Sequence, residues 1–97
     1  MDKEQIKKVI RKHKTDIEKL GVNKLAVFGS YVSGQNKENS DIDIYVSFRR
    51  DQATYDNFIK LCYFLDKLFP GKKVDVVTED GVSPYIEPEI KRTAEYV

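Results

Sequence analysis

Several ingredients are scarce in this sequence, and each scarcity excludes a class of protein. Its 97 residues contain a single cysteine, Cys62, so an intrachain disulfide is excluded and a cytoplasmic location is expected. No apolar run approaches the roughly 20 residues that span a bilayer. Residues 1–5 also lack the apolar segment of a secretory signal, so we expect no membrane contact. At this length, residues 1–97 are predicted to form a single domain with one core.

An excess of charge of one sign is also lacking. The chain has 17 Lys and Arg residues against 16 Asp and Glu residues, which gives a formal net charge of +1. Proteins that bind nucleic acid without sequence preference usually carry a strong basic excess, so the composition argues against such a partner. If the protein binds a polyanion such as ATP, backbone dipoles and divalent metal ions must supply much of the neutralising charge.

Apolar periodicity predicts alternating helices and strands. The predicted order is a helix over 2–20, a strand over 23–29, one helical turn over 30–33, a strand over 41–48, a helix over 52–69, a strand over 73–78, a short turn over 84–87, and a helix from Pro88 to about Tyr96. We therefore predict an α/β (α+β) fold with a small mixed sheet of about three strands and flanking helices. The long helix between the second and third strands permits a crossover to a parallel neighbour.

The ends of the two long helices carry capping signals. Asp2 and Gln5 resemble a capping box, and Gly21 suits a helix C-terminus. His13 lies beside the apolar stripe of the first helix and is interpreted as a partly buried helix residue, since it lacks partners for a metal site. Asp51 is the expected N-cap of the second long helix. The apolar face of that helix is predicted to lie in the core: Tyr55, Phe58, Leu61, Cys62, Leu65, Leu68 and Phe69.

Residues 41–48 alternate strictly, which is typical of a strand with two different faces. The predicted faces are Ile42, Ile44, Val46 and Phe48 on one side, and Asp41, Asp43, Tyr45 and Ser47 on the other. Asp41 and Asp43 then share a face, with their Cα atoms about 6–7 Å apart. Such adjacent carboxylates are costly without a cation between them, and Mg²⁺ prefers oxygen ligands. Asp75 has a matching position on the third strand, so the three can converge on a two-metal site if the strands are neighbours.

Gly29 and Ser30 follow the apolar run Leu25–Phe28, which reads as a strand covered on both faces. Glycine permits a sharp turn and the close approach of a phosphate group. The serine hydroxyl and the N–H groups of the following turn can contact a triphosphate. The pair is therefore predicted to bind phosphate.

Two competing motifs, one for phosphate binding and one for metal binding, do not match the sequence. A P-loop requires Gly-Lys after four variable residues, but Gly34 is followed by Gln35. An EF-hand loop that began at Asp41 would require glycine where Val46 stands, and the strand alternation contradicts a loop there.

The combination of residues resembles a known signature. Gly29-Ser30, then residues 31–40, then Asp41-Ile42-Asp43, with a further carboxylate at Asp75, is similar to the pattern of the DNA polymerase beta-like nucleotidyltransferase superfamily. The size and the element order resemble its minimal nucleotidyltransferases over essentially the whole chain. These proteins are often paired with a helical HEPN-domain partner in MNT/HEPN toxin–antitoxin modules. The resemblance implies the palm-like nucleotidyltransferase fold.

The resemblance also implies an activity, which is Mg²⁺-dependent transfer of AMP from ATP to a hydroxyl group. By this resemblance, Asp41 and Asp43 would bind two Mg²⁺ ions and the ATP phosphates, and Asp75 would complete the metal site and help to activate the hydroxyl. Gly29 and Ser30 would hold the β- and γ-phosphates. The acceptor would be a tyrosine of a HEPN-type toxin encoded nearby, and this chain would be the antitoxin.

Purely structural roles for the same aspartates stay open at this point. Asp41 and Asp43 also suit a solvated strand face. Asp75 could form an ion pair with Lys72 or Lys73 rather than a metal site.

Other functions stay open too. The chain could neutralise a partner by complex formation alone, or transfer a nucleotide to a small molecule, although the helical acceptor domain of such enzymes is lacking. Lys37, Arg49 and Arg50 could contact a substrate or could be surface residues. The residues do not fix the acceptor, the nucleobase or the oligomeric state, with a homo-oligomer among the alternatives.

Overall fold

A mixed sheet forms the centre of the protein in its computed structural model, which describes residues 1–37 and 39–97. In this described part the sheet has four strands in the order β3-β2-β1-β4. Their bounds are β1 Val22–Phe28, β2 Ile42–Phe48, β3 Val74–Thr78 and β4 Glu95–Tyr96. β1 pairs antiparallel with β2 and β4, whereas β2 and β3 are parallel. The predicted α/β class and the parallel crossover are therefore confirmed.

Five helices of the described residues connect and cover these strands: α1 Lys3–Lys12, α2 Lys14–Lys19, α3 Ser30–Ser33, α4 Tyr55–Leu68 and α5 Glu87–Thr93. α3 is the single helical turn predicted after β1, and α4 is the crossover between β2 and β3. Within residues 1–37 and 39–97, no helix has the length and apolarity required to cross a membrane.

The two faces of the sheet carry different cores. The larger core contains the alternate apolar residues of β1, β2 and β3 and the apolar faces of α1, α2 and α4. On the opposite face, Ala26 and Tyr45 pack against Ile90 of α5 in a smaller cluster. Since Tyr45 lies in the smaller cluster and its neighbours Ile44 and Val46 lie in the larger one, the predicted alternation of β2 is confirmed. Asp43 therefore shares the face of Tyr45.

The N-terminal segment differs from the single helix predicted over 2–20, because the chain breaks at His13 into α1 and α2. Residues 11–16 contain no apolar side chain that would hold a continuous helix against the core. At the break, the His13 ring packs edge-on against Phe64 with ring centroids 5.8 Å apart. This agrees with the partly buried role predicted for His13. The capping box of Asp2 and Gln5 is confirmed, and Gly21 ends α2 with a φ of 92°.

The start of α4 also differs from the prediction. Thr54, rather than Asp51, is the N-cap, and its side chain accepts a hydrogen bond from the Asn57 backbone N–H. Asp51 has a φ of 69° and lies in the preceding turn. Tyr55 is consequently the first helical residue and is 78% exposed rather than part of the core. The rest of the predicted apolar face is buried or partly buried.

The C-terminal segment contains a strand that the sequence pattern did not predict. α5 ends at Thr93, and residues 95 and 96 form β4 against Ala26 and Val27. A strand of two residues has no alternation from which it could be recognised. It is fixed by tertiary contacts, because the carboxylate of Glu95 accepts from Lys3 and Lys7 of α1 at 2.8 and 2.9 Å. The expected count of about three strands was therefore one too low.

Candidate functional site

Two of the predicted carboxylates lie directly opposite each other on neighbouring strands. In the parallel pairing of β2 and β3, Asp43 is the register partner of Asp75. Both side chains lie on the sheet face away from the larger core, since Ile44 and Val76 on the same strands belong to that core. The two strands are therefore neighbours, as the predicted convergence of the aspartates required. Like charges in these register positions repel each other.

The Asp43 carboxyl responds to this crowding. Burial raises the pKa of Asp43 above its ordinary value, and the negative charges of Asp75 and Asp41 raise it further. All three influences disfavour the ionised form of this group. A cation placed at this face would reverse them, so the electrostatics suit a positively charged ligand.

Gly29 lies against the same carboxylate. Its neighbour Phe28 is the register partner of Asp43 across the β1–β2 pairing. Gly29 has φ 77° and ψ −150°, a backbone conformation that is essentially restricted to glycine. A Cβ atom added there would also collide with the Asp43 carboxylate. Glycine is therefore required both by the turn and by the close approach of Asp43.

The turn after Gly29 is fastened to the segment that leads into β2. The Gly29 carbonyl accepts a hydrogen bond from the Ser33 N–H at 3.1 Å, which closes α3. The buried Tyr31 side chain donates its hydroxyl to the Ser40 carbonyl at 3.4 Å. Because Ser40 immediately precedes Asp41, this contact sets Ser30 and Asp41 relative to each other. Sequence reasoning did not assign this positioning role to Tyr31.

Lys73 borders the carboxylates, and its neighbour Lys72 lies beside the ring of Tyr31. The Lys73 ammonium lies 3.6 Å from the Asp75 carboxylate. This is one of the ion pairs that the sequence left open as a structural role for Asp75. The Lys73 carbonyl accepts a hydrogen bond from the Ile42 N–H at 2.9 Å, so its backbone is fixed beside the start of β2. The Lys72 ammonium lies 5.9 Å from the centre of the Tyr31 ring.

A cleft opens beside the Gly29–Ser30 turn, between α3 and α5. It has a volume of about 610 Å³, within the range of small-molecule sites. Its walls are formed by Gly29, Ser30, Val32, Ser33, Gln35, Glu89 and Thr93. Sequence reasoning missed Glu89 and Thr93, because α5 reaches this position only through the packing of Ile90 on Tyr45.

The remaining candidates lie outside this group. Arg49 is at the other end of β2, where it donates to the carbonyls of Val22 and Glu18 at 3.1 and 2.9 Å. It therefore ties the strand to the end of α2. Arg50 and Lys37 are exposed.

The donor set suits a hard divalent cation, although its side chains are not arranged as a closed ligand set. Within the part of the chain that the structure describes, no three His, Cys, Asp or Glu side chains form a group that could hold a metal ion. The carboxylates of Asp43 and Asp75 nevertheless share one face in adjacent register positions. Carboxylate oxygens are the ligands that Mg²⁺ takes, usually together with water and substrate phosphates. Asp43 and Asp75 thus fit Mg²⁺ in their chemistry, as two carboxylates that such an ion would share with water and phosphate oxygens.

Comparison with known proteins gives relatives that extend over nearly the whole chain. A protein of Methanocaldococcus jannaschii, named provisionally as a protein adenylyltransferase, is 36% identical over 96% of this chain and 95% of its own length. Protein adenylyltransferase MntA of Thermococcus cleftensis is 37% identical over 97% of this chain and 94% of its own length.

Solved structures show the same fold. A structure provisionally described as a minimal nucleotidyltransferase matches with a TM-score of 0.83 at 29% identity, over 98% of this chain and 95% of that one. A crystal structure of a toxin–antitoxin with AMP-PNP matches with a TM-score of 0.68 at 23% identity, over 99% of this chain and 72% of that one. The family model of the nucleotidyltransferase domain matches residues 6–97. With this match and these relatives, the chain belongs to the nucleotidyltransferase domain family, as the resemblance of its signature implied.

Proposed function

We propose that this protein transfers AMP from ATP to a hydroxyl group in a Mg²⁺-dependent reaction, and that the acceptor is a tyrosine of a HEPN-type toxin. The observation that carries the proposal is the alignment of Asp43 with Asp75 on adjacent strands, directly beside Gly29. The name of the Thermococcus relative, a protein adenylyltransferase, supports a protein acceptor. In this role the chain is an antitoxin that modifies its partner.

The residues of the signature form two groups in this proposal. Asp41, Asp43 and Asp75 would hold the metal ions, and Gly29 and Ser30 would bind the β- and γ-phosphates of ATP. The half-buried position of Asp43 against Gly29 supports this assignment, because it brings a carboxylate next to the turn that receives the phosphates. When bound, Mg²⁺ neutralises charge on the phosphate oxygens.

The reaction is an in-line displacement at the α-phosphate. The acceptor oxygen forms a bond to the α-phosphorus, and the bond from that phosphorus to the bridging oxygen of the leaving pyrophosphate breaks. Asp75 accepts the hydroxyl proton of the acceptor. Its strand, β3, is at the edge of the sheet, and its side chain is 42% exposed, so a tyrosine of another protein can reach it.

Label transfer tests the proposal directly. The protein is incubated with α-³²P-labelled ATP, Mg²⁺ and the HEPN-type protein encoded beside its gene. We expect label on a partner tyrosine with wild type, and none with Asp41→Asn or Asp43→Asn. Asp66→Asn, which changes an exposed aspartate of α4, is the matched control and should transfer as wild type does. Absence of transfer by the wild type, or equal transfer by the Asp43 variant, would contradict the proposal.

One observation favours a second candidate, which is an antitoxin that acts by complex formation alone. As noted above, the described residues hold no closed set of metal ligands. If the Asp41→Asn/Asp43→Asn double variant still neutralises its partner in cells, this second candidate is favoured. If neutralisation is lost while the purified complex still forms, catalysis is favoured instead.

A further inference from the structure

We propose that Lys73 is an exchangeable counter-ion of the carboxylate face. In the metal-free protein its ammonium group neutralises Asp75, and it turns to the phosphates of the nucleotide when a divalent cation binds the carboxylates. This inference rests on the proposed function, because it concerns the same site. The charge of Lys73 should therefore weaken the binding of a metal ion to the nucleotide-free protein and strengthen the binding of nucleotide.

The register places Lys73 within the site. Ile42 pairs with Val74, and the Ile42 N–H bonds to the Lys73 carbonyl at 2.9 Å. Asp41 and Lys73 are the residues that immediately precede these two register partners. Lys73 immediately precedes β3, and its ammonium group lies 3.6 Å from the carboxylate of Asp75 on that strand. The face thus carries the cross-strand pair of Asp43 with Asp75, and Asp41 and Lys73 lie just before the starts of the two strands.

The charges of these four side chains do not balance. When all are ionised, three carboxylates outnumber the one ammonium group, that of Lys73, and leave an excess of two negative charges. The Lys73 ammonium lies 3.6 Å from the Asp75 carboxylate and offsets part of the repulsion on this face. A divalent cation bound to the same carboxylates repels that ammonium group. Metal and lysine therefore compete for Asp75.

The lysine can change partner at little cost. Its side chain is 72% exposed, and exposed ion pairs of this kind are weak. Its ammonium group is a compact charge on a flexible four-carbon stem, and lysine commonly binds phosphate as a point charge. Among the residues that the structure describes, the walls of the cleft at Gly29 and Ser30 include no lysine or arginine. A nucleoside triphosphate bound next to that cleft therefore attracts the ammonium group of Lys73, which lies just before the start of β3.

The experiment compares wild type with Lys73→Met, which keeps the stem length but removes the charge. Mn²⁺ binding to the nucleotide-free protein is measured by electron paramagnetic resonance, and binding of Mg²⁺–AMP-PNP by calorimetry. We expect the variant to bind Mn²⁺ several-fold more tightly and Mg²⁺–AMP-PNP several-fold more weakly. Lys60→Met, on the exposed side of α4, is the matched control and should change neither affinity. Lys73→Arg should keep both close to wild type.

The outcomes separate this inference from the proposed function. If wild type binds both probes and Lys73→Met changes neither affinity, or weakens both together, the inference is overturned while the proposed function stands. If wild type binds neither probe, the proposed function fails and the inference fails with it. A melting curve of Lys73→Met in EDTA verifies that the variant is folded before either affinity is compared.

Discussion

The Asp43 carboxylate occupies the space that a β-carbon on residue 29 would need. Gly29 of the Gly-Ser pair and Asp43 of the Asp-x-Asp pair are therefore packed directly against each other, although they are 14 positions apart in the sequence. Their strands meet in antiparallel register, with Phe28 opposite Asp43. In this protein the glycine provides room for the protein's own carboxylate as well as for a turn.

Gly29→Ala is expected to damage both stability and nucleotide binding. The positive φ alone costs about 1–3 kcal/mol for a residue with a side chain, and Asp43 must also move away from the added methyl group. We expect a lower free energy of unfolding in urea and loss of detectable AMP-PNP binding in calorimetry.

Gly34→Ala is the matched control for this change. Gly34 also has a positive φ, of 79°, but an added Cβ atom there meets no other atom within 4 Å. It should lose only about 1 kcal/mol of stability and should keep its nucleotide affinity. Equal effects of the two substitutions on AMP-PNP binding would show that the contact with Asp43 is irrelevant to the site.

Asp43→Asn is expected to stabilise the metal-free protein while abolishing label transfer. The substitution keeps the shape of the side chain and removes its repulsion with Asp75, which is worth about 0.2–1 kcal/mol for like charges in adjacent strands. The raised pKa of Asp43, caused by burial and then by Asp75 and Asp41, indicates the same direction. Urea denaturation in EDTA measures the gain.

Asp75→Asn tests the source of that gain. It removes the same repulsion but also the contact with Lys73, so it should stabilise less than Asp43→Asn. Because one shared interaction is removed by either change, the double variant should show no additive gain. Additive stabilisation would mean that Asp43 and Asp75 do not interact.

The sequence predicted which face of the sheet carries the aspartates, because the information for this is local. Strict alternation in β2 determines which side chains face away from the larger core, and the chain from Gly29 to Asp43 is short. The pairing of Asp43 with Asp75 required one further condition, a parallel crossover through α4, and the length of that helix made the crossover available.

The sequence-based predictions were wrong where two local signals were equally acceptable, or where contacts between residues distant in the sequence determine the structure. Asp51 and Thr54 are both acceptable N-caps, and the structure uses Thr54, which moves Tyr55 out of the core. β4 depends on contacts of Glu95 with α1, more than 80 positions away in the chain. Glu89 and Thr93 enter the cleft through the packing of α5, which no local pattern encodes.

The Glu95 contacts predict a loss of stability in acid. Hydrogen bonds from Lys3 and Lys7 hold the pKa of Glu95 below its ordinary value of 4.5. Since the folded pKa is the lower one, ionised Glu95 stabilises the fold above about pH 4.5, and this contribution is lost as the pH falls through the folded pKa. Melting temperatures of wild type and Glu95→Gln should therefore differ at pH 7 and converge at low pH.

A matched control for this prediction is Glu18→Gln, which changes an exposed glutamate of α2. It should melt as wild type does across the same pH range. A difference between wild type and Glu95→Gln that persists unchanged into strong acid would contradict the assignment, because the effect would then not depend on the charge of Glu95.

Arg49→Met should lower stability without weakening AMP-PNP binding. Arg49 donates to the carbonyls of Val22 and Glu18 at the end of β2 far from the aspartates, and loss of these two charged hydrogen bonds is expected to remove roughly 1–2 kcal/mol from the free energy of unfolding. Arg50→Met, at the exposed neighbouring position, should change stability by less than about 0.5 kcal/mol. Urea denaturation and calorimetry measure the two quantities separately. Weaker AMP-PNP binding with unchanged stability would instead place Arg49 on the substrate path.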